Sequence, residues 1–159
     1  MTNPLSDPEF VAGLRPVPSG LDSEAPPWPA VDLSGVRPDG TPVSFDVAAP
    51  DVPVLLAFLT TRCDGCDVFW TGLADPPPGL QCVVVTRGPG TTVPDDVAAL
   101  AGGLSQVPVV MSDAAWKDYR VTGYPFLVLV DPGTRTVLAE SVGFGWSDLE
   151  ALRSRIPGA

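Results

Sequence analysis

The stretch LTTRCDGCDVFW, residues 59–70, decides how the chain is interpreted, because it places two of the three cysteines two residues apart. It overlaps the end of VPVLLAFLT (52–60), a nearly continuous apolar run that is typical of a strand buried on both faces. After Cys63 the larger apolar residues recur at spacings of three and four, which predicts a helix that ends at ADPPPG (74–79). The pair Cys63 and Cys66 therefore lies where a buried strand gives way to a helix.

A cysteine in the first turn of a helix is favoured as its thiolate, since the main-chain N–H groups there have no intrahelical partner. The thiolate is the reactive form of the side chain. We therefore expect Cys63 to attack a substrate disulfide, and the less exposed Cys66 to resolve the product. A zinc site would need ligands that the chain lacks, because it has neither a second C-x-x-C nor any histidine. A structural disulfide across so short a loop would stabilise little, so we expect a redox-active pair with no metal and no cofactor.

The remaining sequence predicts an α/β protein with a mixed sheet. Alternation and buried runs predict strands at 43–47 (or half a hairpin), 80–86, 107–113, 125–131 and 136–143, the last two as an antiparallel hairpin. Helices are predicted at 93–104, 114–119 and 147–156, the second capped by Ser112 or Asp113 and the third by a capping box of Ser147 and Glu150. Residues 1–28 have the composition of a Pro-rich extended arm or tether, and residues 29–157 form one domain.

The composition excludes several classes of function. A net charge of −10 over 159 residues, with no basic stripe, excludes a nucleic-acid partner and disfavours an anionic membrane surface. The absence of histidine excludes Ser-His-Asp and Cys-His catalysis. No apolar run approaches the roughly 18 residues of a membrane span, and the N-terminus does not resemble a signal peptide. We therefore expect a cytoplasmic protein, or alternatively the extracytoplasmic domain of a membrane-anchored protein whose anchor was removed.

A buried strand, a C-x-x-C pair that opens a helix, and VTGYPFLVLV (121–130) further along the chain resemble the thioredoxin fold. The additional strand and helix before Pro125 resemble the TlpA/ResA-like branch, which is related to the AhpC/TSA proteins. This resemblance implies a thioredoxin-like three-layer α/β/α sandwich with a strand-helix insertion, and a cis-proline at Pro125 opposite the cysteines. It also implies a thiol-disulfide oxidoreductase that acts on a protein disulfide substrate and is recharged by an unidentified electron donor. Tyr124 and Pro125, together with Arg62, are the expected substrate-binding residues.

Three positions depart from the pattern of that family. Arg62 precedes the first cysteine, where the family commonly has tryptophan. Ala57 stands at the position of the buried carboxylate of thioredoxins, and Phe69 stands where the TlpA/ResA branch often has glutamate. The usual proton acceptor for the buried thiol is therefore missing. Asp64 and Asp67 are the nearest substitutes in sequence, and they act either in a proton relay or as solvated acids at the helix start.

Two other functions compatible with this fold stay open at this stage. One is a binding or scaffold module in which the cysteine pair is a relic. The other is a thiol peroxidase of the related peroxiredoxin class, which needs a proline and a threonine or serine at fixed positions before its reactive cysteine. Thr60 fits the second of these positions, but Leu56 occupies the proline position.

Overall fold

A computed structural model of the chain describes residues 28–142 and places helices and strands in the predicted order. The strands are β1 (Trp28–Pro29), β2 (Leu33–Val36), β3 (Pro42–Phe45), β4 (Val54–Phe58), β5 (Gln81–Thr86), β6 (Val109–Met111), β7 (Phe126–Asp131) and β8 (Thr136–Val142). The helices of this part of the chain are α1 (Asp64–Gly72), α2 (Pro94–Ala101) and α3 (Asp113–Asp118). The helix predicted at 147–156, with its capping box, and residues 1–27 of the predicted arm lie outside the described residues.

All the described strands join one mixed sheet, in the order β1-β8-β7-β4-β5-β6-β2-β3. The strands β4, β5 and β6 are parallel to one another, and the remaining neighbours are antiparallel. All five residues of β4 are buried, because this strand lies between β5 and β7 and is covered on both faces. The continuous apolar run in the sequence is explained by that position, and the predicted hairpin of β7 and β8 is confirmed.

Helices cover both faces of the sheet. Successive side chains of a strand point to opposite faces, so neighbouring residues of β4 pack against different helices. Leu56 and Phe58 of β4 belong to the apolar cluster that includes α3 residues, whereas Leu55 and Ala57 belong to the cluster that includes residues of α1 and α2. The predicted three-layer α/β/α sandwich is therefore confirmed.

The sequence does not predict β1 or β2. Trp28, which the composition assigns to the end of the arm, pairs with Val137 in the antiparallel contact of β1 with β8. The strand β2 pairs with β3 as a hairpin, which completes the strand predicted at 43–47. At Gly35 a Cβ atom would lie only 2.2 Å from the carbonyl oxygen of Met111, so β2 approaches the chain at β6 this closely only because the residue is glycine.

The helix α2, the strand β6 and the helix α3 lie between β5 and β7 in the chain, where the insertion is predicted. Ser112 fixes the start of α3, because its hydroxyl accepts a hydrogen bond from the amide of Ala115 at 3.0 Å. The same hydroxyl donates to the carbonyl of Ser34 at 2.7 Å, which ties α3 to β2. Of the two predicted caps, Ser112 is the one that is used.

Candidate active site

Cys63 is the N-cap of α1, one residue before the first turn in which we predicted it. Its backbone is extended, and its Sγ accepts a hydrogen bond from the backbone N–H of Cys66 at 3.1 Å. An N-cap side chain satisfies one of the free N–H groups of a helix, and a hydrogen bond to a charged acceptor is about twice as strong as one to a neutral acceptor. The helix start therefore holds the Cys63 sulfur in a defined position, and the residue is partly exposed.

Cys66 lies one turn further along α1 and is fully buried in the apolar cluster on that face of the sheet. Its Sγ accepts from the backbone N–H of Thr60 at 3.5 Å and lies 3.9 Å from the Thr60 hydroxyl. Burial, and after it the hydrogen bond with Cys63, raises the pKa of the Cys66 thiol to about 12. Cys66 is thus the protonated, shielded member of the pair, in agreement with the predicted order of exposure.

Thr60 is held in place by the helix that carries the cysteines. The indole Nε1 of Trp70 donates to the carbonyl oxygen of Thr60 at 3.0 Å. Trp70 is buried one turn after Cys66, so this bond joins the end of the β4 segment to the second turn of α1. The residues around the buried sulfur are therefore fixed by both the strand and the helix.

Pro125 lies against the turn of the cysteine motif, and the Tyr124–Pro125 peptide bond is cis, as predicted. A Cβ atom on Gly65 would lie 3.2 Å from Cδ of Pro125 and 3.9 Å from Sγ of Cys63. Pro125 and the Cys63 sulfur therefore flank the same small residue. The structure thus brings together the cysteines and Pro125, which are far apart in the sequence.

A cavity of about 380 Å³ lies beside this motif. One wall carries Thr60, Thr61 and Arg62, and Tyr124 contributes from the loop before β7. The second wall comes from the connection between β5 and α2 and from the first turn of α2, with the residues Thr91, Thr92, Val93 and Asp96. The structure thus places the predicted Arg62 and Tyr124 at one cavity, whereas nothing in the sequence singles out the second wall.

Tyr124 is 51% exposed, and its ring lies close to that of the buried Trp116. Its ring centroid lies 6.2 Å from that of Trp116, and the guanidinium of Arg87 lies 4.7 Å from the Trp116 ring centroid. Asp113 contacts Arg87 at 3.7 Å and accepts hydrogen bonds from the amide of Gly88 at 3.0 Å and from the hydroxyl of Thr91 at 3.4 Å. The start of α3 therefore holds both Tyr124 and the second wall of the cavity.

Asp64 and Asp67 are exposed in the first turn of α1, where carboxylates interact favourably with the helix dipole. Within the described residues neither makes a hydrogen bond to Cys66, so their positions fit the interpretation as solvated acids. Ala57 and Phe69, at the positions where the family carries carboxylates, are both fully buried. The surroundings of Cys66 are accordingly apolar apart from Thr60 and Cys63.

Cys63 and Cys66 are both free thiols in this structure. Across residues 28–142, no three cysteine or carboxylate side chains come together as a possible metal site. No helix of that same range is long and apolar enough to cross a membrane.

Comparisons with known proteins agree with this architecture at the level of the fold. No protein-family model matches the sequence, and no curated protein matches it. Similar solved structures include a thiol:disulfide interchange protein of the thioredoxin family from Chlorobium tepidum TLS, with a TM-score of 0.61 and 21% identity over 83% of this chain and 98% of that one. A thiol:disulfide interchange protein from Bacteroides sp. has a TM-score of 0.59 and 19% identity, over 87% and 93% of the two chains. The exposed lipoprotein thioredoxin of Streptococcus pneumoniae TIGR4 has a TM-score of 0.59 and 18% identity, over 78% and 99%. The chain therefore has the thioredoxin fold, with its C-x-x-C pair at the start of α1 and a cis-proline beside it.

Proposed function

We propose that the protein is a thiol-disulfide oxidoreductase that reduces disulfides in protein partners, with Cys63 as the nucleophile and Cys66 as the resolving thiol. The observation that carries this proposal is the asymmetry of the pair. Cys63 is partly exposed and its sulfur accepts an N-cap hydrogen bond, whereas Cys66 is fully buried and burial raises its pKa. A relic pair or a structural pair has no need of this difference between its two sulfurs.

The reaction proceeds in two exchanges. The Cys63 thiolate attacks one sulfur of the substrate disulfide, so that a mixed disulfide forms and the other substrate sulfur leaves as a thiolate that takes up a proton. Cys66 then loses its proton and attacks Sγ of Cys63, which breaks the bond to the substrate and releases the second substrate thiol. The substrate gains two electrons and the protein is left with a Cys63–Cys66 disulfide. An external dithiol donor must reduce this disulfide before the next cycle.

The substrate would lie in an extended conformation beside Pro125, next to the cavity of about 380 Å³. Tyr124 offers an exposed ring at this point, and Arg62 offers a charged group in the wall of the same cavity. The contact of Pro125 with Gly65 supports this placement, because it brings the proline within reach of anything bonded to the Cys63 sulfur. We therefore assign Tyr124, Pro125 and Arg62 to substrate binding.

The names of the similar structures support the same reaction class, since two of the three described above are thiol:disulfide interchange proteins. The pneumococcal structure is that of an exposed lipoprotein, which supports the extracytoplasmic alternative over the cytoplasmic one. The peroxidase alternative gains no support, because Leu56 lies fully buried inside β4 at the position where that class needs proline.

The test is a trapping experiment with single cysteine variants and a disulfide-bonded protein such as insulin. Cys66→Ala should accumulate a mixed disulfide that is visible on a non-reducing gel, whereas Cys63→Ala should accumulate none. Cys82→Ala is the matched control, because this cysteine is buried in β5 and is not part of the C-x-x-C motif, so its replacement should leave turnover intact. Wild-type turnover in both Cys63→Ala and Cys66→Ala would refute the proposal and favour a binding module.

A further inference from the structure

The resolving exchange requires that Cys66 lose a proton, and the structure leaves few groups that could receive it. Ala57 and Phe69, at the family's carboxylate positions, are apolar and fully buried. Cys63 cannot accept the proton at this step, since its sulfur is then bonded to the substrate. In the described part of the apolar cluster around Cys66, the other titratable side chains are Cys63 and Cys82. A proton on Cys66 therefore needs a route out of an apolar environment.

The Thr60 hydroxyl is a polar side-chain group that lies beside the Cys66 sulfur. Its Oγ1 lies 3.9 Å from Sγ of Cys66, and the backbone N–H of the same residue donates to this sulfur at 3.5 Å. Thr60 is also part of the wall of the cavity beside the motif. One side of the residue therefore faces the buried thiol, and another faces the space where the substrate and solvent meet the protein.

The position of Thr60 is fixed by the backbone on both sides. Trp70 donates to its carbonyl oxygen at 3.0 Å, and the amide of the preceding Leu59 donates to the carbonyl of Val85 at 3.1 Å. Because the backbone is fixed, the side chain of Thr60 stays beside the Cys66 sulfur. Asp64 and Asp67, in contrast, are exposed and make no hydrogen bond to Cys66 within the described residues.

We propose that the Thr60 hydroxyl carries the proton of Cys66 to solvent in the cavity during the resolving exchange, in place of the missing carboxylate. This inference rests on the proposed oxidoreductase function. Oγ1 of Thr60 accepts the proton from Sγ of Cys66 while the hydroxyl proton passes to a water molecule, so Thr60 itself is unchanged. The Cys66 thiolate then attacks Sγ of Cys63, and the substrate sulfur leaves with the electron pair of the broken bond. The backbone N–H of Thr60 stabilises the transient charge on Cys66.

The test separates the two exchanges by mixing the reduced protein with dithionitrobenzoate and following the released thionitrobenzoate. The first equivalent reports the attack by Cys63, and the second reports the resolution by Cys66. Thr60→Val removes the hydroxyl but keeps the backbone N–H and the carbonyl that Trp70 contacts. We expect the second phase to slow by about a hundredfold, the lower end of typical acid–base contributions, while the first phase is unchanged. Thr60→Ser, which restores a hydroxyl, should recover most of the rate.

Thr71→Val is the matched control, because Thr71 is exposed in α1, lies outside the wall of the cavity and, among the hydrogen bonds of the described residues, makes none to Cys66. It should leave both phases unchanged. A double Cys63→Ala, Cys66→Ala variant measures any release caused by Cys82. In wild type the second phase should depend weakly on pH, whereas in Thr60→Val it should rise steeply with pH as hydroxide replaces the relay. Thr60→Ala gives a second variant without the hydroxyl if Thr60→Val unfolds.

The outcomes distinguish this inference from the function on which it rests. A wild type that releases no second equivalent would overturn the oxidoreductase function. Two clear phases in wild type, with the second phase at the same rate and pH dependence in Thr60→Val and Thr60→Ala, would overturn the relay and leave the function standing. A first phase that slows together with the second would show that Thr60 shapes the whole site and would also overturn the relay.

Discussion

Two buried tryptophans differ in whether their indole N–H has a hydrogen-bond partner in the described part of the chain, and this difference should affect folding stability. Trp70 and Trp116 are only 4% and 3% exposed, so their rings are equally enclosed. The indole Nε1 of Trp70 donates to the carbonyl of Thr60 at 3.0 Å, whereas Nε1 of Trp116 has no hydrogen-bond partner among the described residues. Replacing each tryptophan by phenylalanine removes the N–H group and a similar part of the ring. At position 70 the change breaks a hydrogen bond, whereas at position 116 it removes a donor that is unpaired within that part of the chain.

The magnitude follows from those consequences. Trp70→Phe leaves the carbonyl of Thr60 without its partner, which costs about 1–3 kcal/mol of folding free energy. Trp116→Phe removes a buried donor that is already unsatisfied and so recovers about 1–3 kcal/mol. It also weakens the contact with Arg87, for which a cation–π interaction contributes about 0.5–1 kcal/mol. The loss of ring volume is common to both variants and cancels in their difference. We therefore expect Trp70→Phe to be less stable than Trp116→Phe by at least about 1 kcal/mol.

Urea unfolding of the reduced proteins at neutral pH measures this difference, with wild type as the common reference. For a slope of about 2 kcal/mol per molar urea, 1 kcal/mol separates the two midpoints by about 0.5 M. Equal slopes in the two variants are the control that both unfold from comparable structures. Equal midpoints, or a lower midpoint for Trp116→Phe, would refute the idea that the Trp70 bond stabilises the end of β4 beside Cys66.

Two further predictions concern the motif itself. Burial raises the pKa of Cys66 from 9.0 to about 12, so above about pH 9 the unfolded chain releases this proton before the folded protein does. The reduced protein should therefore lose stability as the pH rises from about 9, by at most about 1.4 kcal/mol per pH unit. Urea midpoints between pH 8 and 10 test this; the oxidised protein, which has no Cys66 thiol, should show no such slope there, and Tyr119 contributes only above about pH 10. Gly65→Ala places a methyl group 3.2 Å from Pro125, so turnover with a protein disulfide should fall about tenfold or more while the reaction with dithionitrobenzoate changes little. Equal losses with both substrates would contradict this reasoning.

The elements that the sequence predicts are those whose signals are local. The apolar run that forms β4 is typical of a strand covered on both faces, and the spacing of Cys66, Phe69 and Trp70 follows the buried face of α1. Pro125 could be placed opposite the cysteines only through the resemblance to thioredoxins, since no local signal joins residues so far apart. That placement is matched by the contact of Pro125 with Gly65.

The features that escape prediction depend on neighbours distant in the chain. The strand β2 is short and contains Gly35, so its alternation is weak, and its place in the sheet depends on β3 and β6. The second wall of the cavity lies at the end of β5, which becomes a neighbour of the cysteine motif only because β5 pairs in parallel with β4. The contact of Thr60 with Cys66 likewise depends on how α1 folds back over β4. The sequence draws attention to Thr60 only through the peroxidase pattern, which predicts no contact with Cys66.

The carboxylate of Asp113 has a consequence for how a partner would be received. It stands at the first residue of α3 and holds the amide of Gly88, the hydroxyl of Thr91 and the guanidinium of Arg87, so the loop that faces the motif is already ordered before anything binds. Immobilising a flexible side chain on association typically costs about 0.5–1.5 kcal/mol in conformational entropy. Because this loop is ordered when the chain folds, that entropy would not be lost again when a partner binds beside the motif.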